Sequence, residues 1–434
     1  MLSKSANIIF GCMLLFFNTV LHAESSFTTG GHTTDTQSIT QSINLQEAIS
    51  KTFEHNPVLR TFSYALKAQA GRQLQAGLAT SPEMSFIVED AIGSGDFKGT
   101  DKAQATLGIA WVLEGEIRQG YMDVARAGTS SLTTQANIER LDAAAETARL
   151  YIISLANQAR RSNAIKTLDL AKQTVFAVQK RVAAGKSPEA ELARAQAELA
   201  RQQLGLEDIE HELSSAIRLL AAQWGETQPG FVQVEGNIFS LPTIHTFEAL
   251  KAQLEQSPDF TRLMSDKRLM QAQLKLAESQ SSPEWRVNLG IRHFQTTRDQ
   301  ALVAGISIPF GERSRNTGRI IEARENLSQT LAQQDELRVR IETTLFVLSQ
   351  KLQHSLHRVD AYRKQIIPRL EKALKQTRRA YDLGRYSYLE WRSVQVDLLE
   401  ARTSLVEASI DAHLKVIEIE RLTGVRMTRP VSKS

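Results

Sequence analysis

His354, His357 and Asp360, in the stretch HSLHRVD, are the closest approach to a metal-ligand cluster in the 434-residue chain. Spaced i, i+3 and i+6, they spread around a helix instead of converging on one ion, and no His-Glu-x-x-His pattern accompanies them. There is no nucleophile elbow, phosphate-binding glycine loop or paired-carboxylate pocket. Catalysis requires such groups preorganised together, so the expectation is no enzyme, no cofactor and no resident metal.

The remaining candidates are polar residues at repeated positions. Glu191 in RVAAGKSPEAEL and Glu390 in RAYDLGRYSYLEW stand at equivalent places, one turn after Gly185 and Gly384. Carboxylates gathered around one axis attract cations and repel anions, although isolated ones at helix starts are ordinary solvated charges. In WRVNLGIRHF, Trp285, Val287, Leu289 and Ile291 alternate with Arg286, Asn288, Gly290 and Arg292, so a strand there has one apolar and one polar face.

The elements that must position these residues begin after a secretory signal peptide, residues 1–23, with Lys4, an apolar run from Ile8 to Phe17, and Ala23 before a polar segment, 24–43. Cys12 lies within the apolar run, which continues past it, so lipidation is not expected. The mature chain then has no thiol for disulfides or metal. No uncharged apolar run of helix-spanning length follows the signal. The 52 basic residues are interleaved with 48 acidic ones, for a net charge of +4, and no basic block carries interleaved aromatics, which excludes a nucleic-acid partner.

The rest is written twice. Glu47, Ala48, Glu54 and Pro57 recur as Glu248, Ala249, Glu255 and Pro258, and Pro82-Glu83 as Pro283-Glu284, all at an offset of 201. So long a period means two copies of one large unit. Repeat 1 spans 44–238, with strands about 83–90 and 103–113 and a helical turn near 185. Repeat 2 spans 246–424, with strands about 284–294 and 301–309 and a turn near 384; residues 425–434 form a tail. Glycine suits the left-handed residue of such turns. The 69 residues from Glu116 to Ala184 lack proline and would make a helix about 100 Å long. Along it Leu141, Ala144, Ala145, Ala148, Tyr151, Ile152 and Leu155 recur at three and four, a coiled-coil seam.

Four strands of about ten residues have the length to cross a bilayer in a tilted barrel. The other reading is a small soluble sheet lying on the coils. Within lipid a four-stranded sheet has two open edges and too few strands to close, so closure requires several chains, and three would give twelve strands. Trp285, Val287, Leu289 and Ile291 would then face lipid, and Arg286, Asn288 and Arg292 the lumen.

The Asn56-Pro57 and Ser257-Pro258 pairs, QIIPRLEKAL, YDLGRYSYLEWRSVQVDLLEARTSL and the closing ERLTG resemble segments of the TolC-type outer-membrane factors. GIRHFQTTRDQALVAGISIPFGERSRNTGRIIEA is similar to the CzcC-type, cobalt-zinc-cadmium branch, although Glu-Gly-Glu in VLEGEIRQG stands where a basic glycine-rich turn is expected. The resemblance implies a mainly α, internally duplicated protomer that trimerises into a 12-stranded barrel continuous with a periplasmic helical barrel. It implies an outer-membrane exit duct working with a periplasmic adaptor and an inner-membrane RND pump, exporting heavy-metal cations. A multidrug or type I secretion duct is the alternative, and a periplasmic coiled-coil adaptor the alternative of another class. By the same resemblance the tips, Gly185, Lys186, Gly384 and Arg385, contact the adaptor, and three chains would collect six carboxylates from Glu191 and Glu390 at a constriction.

Overall fold

The computed structural model describes residues 42–241, 245–309 and 312–424; the signal peptide with Cys12 and the tail lie outside the described residues. Each repeat starts with short helices whose boundaries are local chemistry. Asn44 and Glu47 form a capping box at α1 (Leu45–His55), and Asn56 caps α2 (Pro57–Gly77) by accepting from the Val58 and Leu59 N–H groups. In the second copy Thr246 caps α5 (Phe247–Lys251) and Ser257 caps α6 (Pro258–Ser279). Proline at the first helical position is tolerated because its missing N–H is one the helix would leave unpaired.

From α2 the chain enters β2 (Glu83–Glu89), turns, and returns along β3 (Gln104–Leu113) into α3 (Gly115–Ala183), a single helix of 69 residues. A turn then reverses it into α4 (Glu189–Ala222). The second copy runs from α6 through β5 (Trp285–Phe294) and β6 (Gln300–Ser307) into α7 (Glu312–Ala361), a π turn (Tyr362–Ile366), α8 (Ile367–Asp382) and α9 (Tyr388–Thr423). The π turn ends two residues before Pro368; a proline inside a helix removes one i→i−4 bond, and wider π bonding is the local adjustment. The straight helix of one repeat is thus a jointed one in the other.

The four long strands form one antiparallel sheet in the order β2-β3-β5-β6. The helices continuing from them keep that order, with α2 on α3, α3 on α6 and α6 on α7; farther along, α4 packs on α3, α3 on α9, and α9 on α7 and α8. Between these two tiers, β1 (Ser42–Ile43) pairs in parallel with β4 (Gln233–Val234). Ser42 and Ile43, at the end of the segment read from sequence as polar, therefore belong to the folded body. The Tyr151 hydroxyl donates to the carbonyls of Ile43 and Glu235, tying this bridge to α3. A second tie is Arg421 of α9, whose Nε donates to Asp142 of α3 at 2.5 Å and whose Nη1 reaches Asp259 of α6 at 2.8 Å. No helix among the described residues is long and apolar enough to cross a membrane.

Candidate functional site: a two-faced sheet and two helical tips

The sheet register extends the alternation of one strand across all four. Leu107, Ile109, Trp111 and Leu113 stand opposite Ile291, Leu289, Val287 and Trp285, with Phe86 beside Leu107 and Leu302 beside Ile291. This face is exposed, Met84 by 81% and Leu302 by 78%. A continuous apolar surface of this extent marks contact with something other than water. Trp285, Val287, Leu289 and Ile291 all lie on it.

Arg286, Asn288 and Arg292 lie on the other face. Arg286 reaches Glu83 at 3.1 Å, and Arg292 reaches Glu89 at 2.9 Å while bonding Thr106 at 2.9 Å and Gln104 at 3.1 Å. Both arginines of β5 thus span β3 to glutamates of β2, a pairing that exposed geometry makes weak but orienting. Gly290 lies opposite Gly108 in the middle of this face, and a Cβ on Gly290 would come within 2.8 Å of the Leu107 carbonyl oxygen. Close strand approach here requires glycine. Glu83 and Glu89 were not singled out from sequence; Glu83, Ser85 and Glu89 do stand at even spacing, but Ile87 interrupts the polar set.

At the far end of the helices, Gly185 and Gly384 adopt φ of 64° and 74°. Lys186 donates its N–H to the Arg181 carbonyl at 2.8 Å, and Arg385 to that of Ala380 at 2.9 Å, so both helices close with the same six-residue bond. Lys186 and Arg385 are exposed beside the glycines. The tips touch each other. Arg181 bonds the Tyr381 carbonyl at 2.6 Å and covers the Tyr381 ring at 4.7 Å, and Tyr381 stacks on Trp391 at 5.0 Å. Val178, Ala195, Tyr381, Tyr388 and Trp391 form the buried cluster between them. Burial pushes the phenols of Tyr381 and Tyr388 up. Sequence spacing did not indicate that Arg181, Tyr381 and Trp391 lock the two tips together.

Glu191 and Glu390 each occupy the third position of a helix, with different surroundings. Glu390 accepts from the Ser387 backbone N–H at 2.7 Å and its hydroxyl at 2.9 Å, and these bonds hold its carboxyl below the ordinary range. The matching cap in repeat 1 is Pro188, which has neither N–H nor hydroxyl to offer, and Glu191 Oε2 is buried without a hydrogen-bond partner. His354 and His357 are exposed on α7, and among the described residues no three His, Cys, Asp or Glu side chains are grouped to hold a metal.

No family model matches the chain. Among solved structures, the outer-membrane channel OprN is similar with a TM-score of 0.72 and 16% identity, covering 88% of this chain and 90% of that one. The outer membrane protein VceC of Vibrio cholerae is similar with a TM-score of 0.72 and 18% identity, covering 88% and 96%. The two-faced sheet continued by long paired helices is the fold of the TolC-type outer-membrane channels. In sequence the chain is similar to the cobalt-zinc-cadmium resistance protein CzcC of Cupriavidus metallidurans, with 27% identity over 385 residues, covering 88% of this chain and 90% of CzcC. The chain has the fold of these channels and is similar in sequence to the CzcC branch.

Proposed function

We propose that three copies of this chain close into one duct, the outer-membrane exit of a tripartite efflux system that exports heavy-metal cations such as cobalt, zinc and cadmium. The observation that carries the reading is the sheet. Its apolar face is continuous over four strands, and β2 and β6 are left as open edges, which lipid does not tolerate unless further copies complete a barrel. Twelve strands from three copies would enclose a lumen lined by Arg286, Asn288 and Arg292 with their glutamate partners. The metal class is supported by similarity to CzcC over most of both chains. An inner-membrane RND pump supplies the energy and selects the ion, and a periplasmic adaptor meets the tips at Gly185, Lys186, Gly384 and Arg385. Glu191 and Glu390 gather at that end as an acidic constriction, with Glu390 kept ionised by its bonds to Ser387.

The test is assembly. The protein should remain with outer membranes through carbonate washing and migrate as a heat-sensitive trimer; recovery as a soluble monomer would sink the duct reading. Leu289→Arg should deplete the trimer, because a cation on the lipid face near the midplane costs about 2–4 kcal/mol, while Asn288→Arg should assemble normally. Loss of the gene should sensitise cells to zinc, cobalt or cadmium more than to hydrophobic drugs, and the reverse pattern would assign the duct to drug export.

A further inference from the structure

The apolar face of the sheet has a definite height, because polar or amphipathic side chains bound it at both ends. On β5 and β3 it fills alternate positions from Trp285 to Ile291 and from Leu107 to Leu113, paired row by row. Toward the helices the face ends on Trp285 and Trp111, both exposed and the only Trp or Tyr residues in the four strands. Tryptophan collects at membrane–water interfaces, where its apolar ring and polar N–H both find partners. Toward the hairpin loops the same face changes character at the row after Ile291, where His293 stands between Ala105 and Gln300. Only β2 carries a large apolar side chain into that row, Val88, an offset of the kind that tilted strands produce.

The step from Trp285 to His293 is roughly 27 Å along the strand at about 3.4 Å per residue, and about 21 Å along the axis of a barrel whose strands tilt by about 40°. The apolar layer between those two residues is no thicker than that. Outer-membrane barrels usually carry an apolar band about 25 Å tall, and a typical bilayer core is about 30 Å thick. The edge strands agree: β2 has 7 residues and β6 has 8, where about 9–11 are needed to cross a bilayer of ordinary thickness.

We propose that this sheet is matched to a hydrocarbon layer about 20 Å thick, and that its partner in the membrane is lipid with short acyl chains. The proposal rests on the barrel reading above and adds the thickness and chain length of the lipid that the apolar face selects. A span shorter than its bilayer draws the lipid in around it, at a cost that grows with each ångström of mismatch. Measured against a core of about 30 Å, the matched chains are about two-thirds of the usual length.

The experiment dilutes the full-length protein from detergent into fluid phosphatidylcholine vesicles with acyl chains of about 10 to about 22 carbons, and measures the heat-modifiable trimer that the vesicles retain through a carbonate wash. Yield should peak near about 12 carbons and be at least about threefold lower at about 18. His293→Leu combined with Gln300→Leu adds one apolar row at the loop end, about 5 Å of height, and should move the peak about 2–4 carbons longer. A wild-type peak at about 18 carbons or beyond, or equal yield at every length, overturns the proposal, and so does a peak that the double variant leaves in place. If the variant forms no trimer, the wild-type profile decides by itself. Retention at no chain length, with the wild type recovered as soluble monomer, would instead remove the barrel reading, and this proposal with it.

Discussion

The two helical tips make the same turn and finish it differently. In both, a left-handed glycine lets the N–H of the next residue bond the carbonyl five residues back, and in both a glutamate stands third in the following helix. At repeat 2, Ser387 and Glu390 cap each other; at repeat 1, Pro188 takes the serine's place and Glu191 has no such partner. Repeat 2 also exposes Leu383, Tyr386 and Leu389 by 62%, 44% and 55%, where repeat 1 presents Ala184, Ser187 and Ala190 or their like. Duplication has preserved what the backbone conformation demands and has let the side chains around it diverge. One glutamate has become a piece of helix-end architecture, and the other is left with an unsatisfied oxygen.

The largest expected effect tests whether the tips are independent. Trp391 is fully buried between them, whereas Leu192, its counterpart in repeat 1, is partly buried. Trp391→Ala should cost about 3–5 kcal/mol and raise amide exchange in both tips; Leu192→Ala should fall at the low end of about 2–5 kcal/mol and affect chiefly its own. Equal, local effects would mean that the tips do not share a core.

Next come the glycines, where the comparison predicts equality. Gly185→Ala and Gly384→Ala should each destabilise by about 1–2 kcal/mol in thermal unfolding of the detergent-solubilised trimer, because each imposes a Cβ on left-handed backbone. A twofold larger loss at one site would show that its surroundings, not its φ, dominate.

The caps sharpen the contrast. Ser387→Ala should cost about 1 kcal/mol, seen as faster exchange at the start of α9. Pro188→Ser should change stability by less than about 1 kcal/mol, since the new cap is offset by lost proline rigidity. Its diagnostic is amide exchange at the start of α4, which should slow relative to the parent as Glu191 gains a capping partner. Unchanged exchange there would refute the claim that proline alone denies Glu191 a cap.

The smallest effect is that of acid. The folded pKa of Glu390 is depressed from 4.5, so its contribution is present above that pH and disappears as pH falls through the lower folded value. Protection of the amides at the α9 start, relative to their intrinsic exchange at the same pH, should therefore fall on acidification below about pH 4.5, and this fall should be absent in Ser387→Ala. Identical pH profiles in parent and variant would remove the capping box as the cause.

Much of this was open to sequence reading because it is local. A period of two separates Trp285, Val287, Leu289 and Ile291 from Arg286, Asn288 and Arg292 whatever the strand pairs with, and a proline-free stretch with a three-and-four seam is a long helix in any surroundings. Glycine at a helix reversal follows from backbone sterics alone. Whether a polar strand face is charged, and whether an equivalent glutamate is free, depended on residues brought in from elsewhere. Arg286 and Arg292 meet Glu83 and Glu89 only because β5 pairs with β3 in one register. Likewise, Arg181 at the end of α3 meets Tyr381 at the end of α8 across 200 residues only because α3 and α8 both pack on α9. Periodicity sets which way a side chain points relative to its own backbone; packing between distant segments sets what it finds there, and only the tertiary structure decided that.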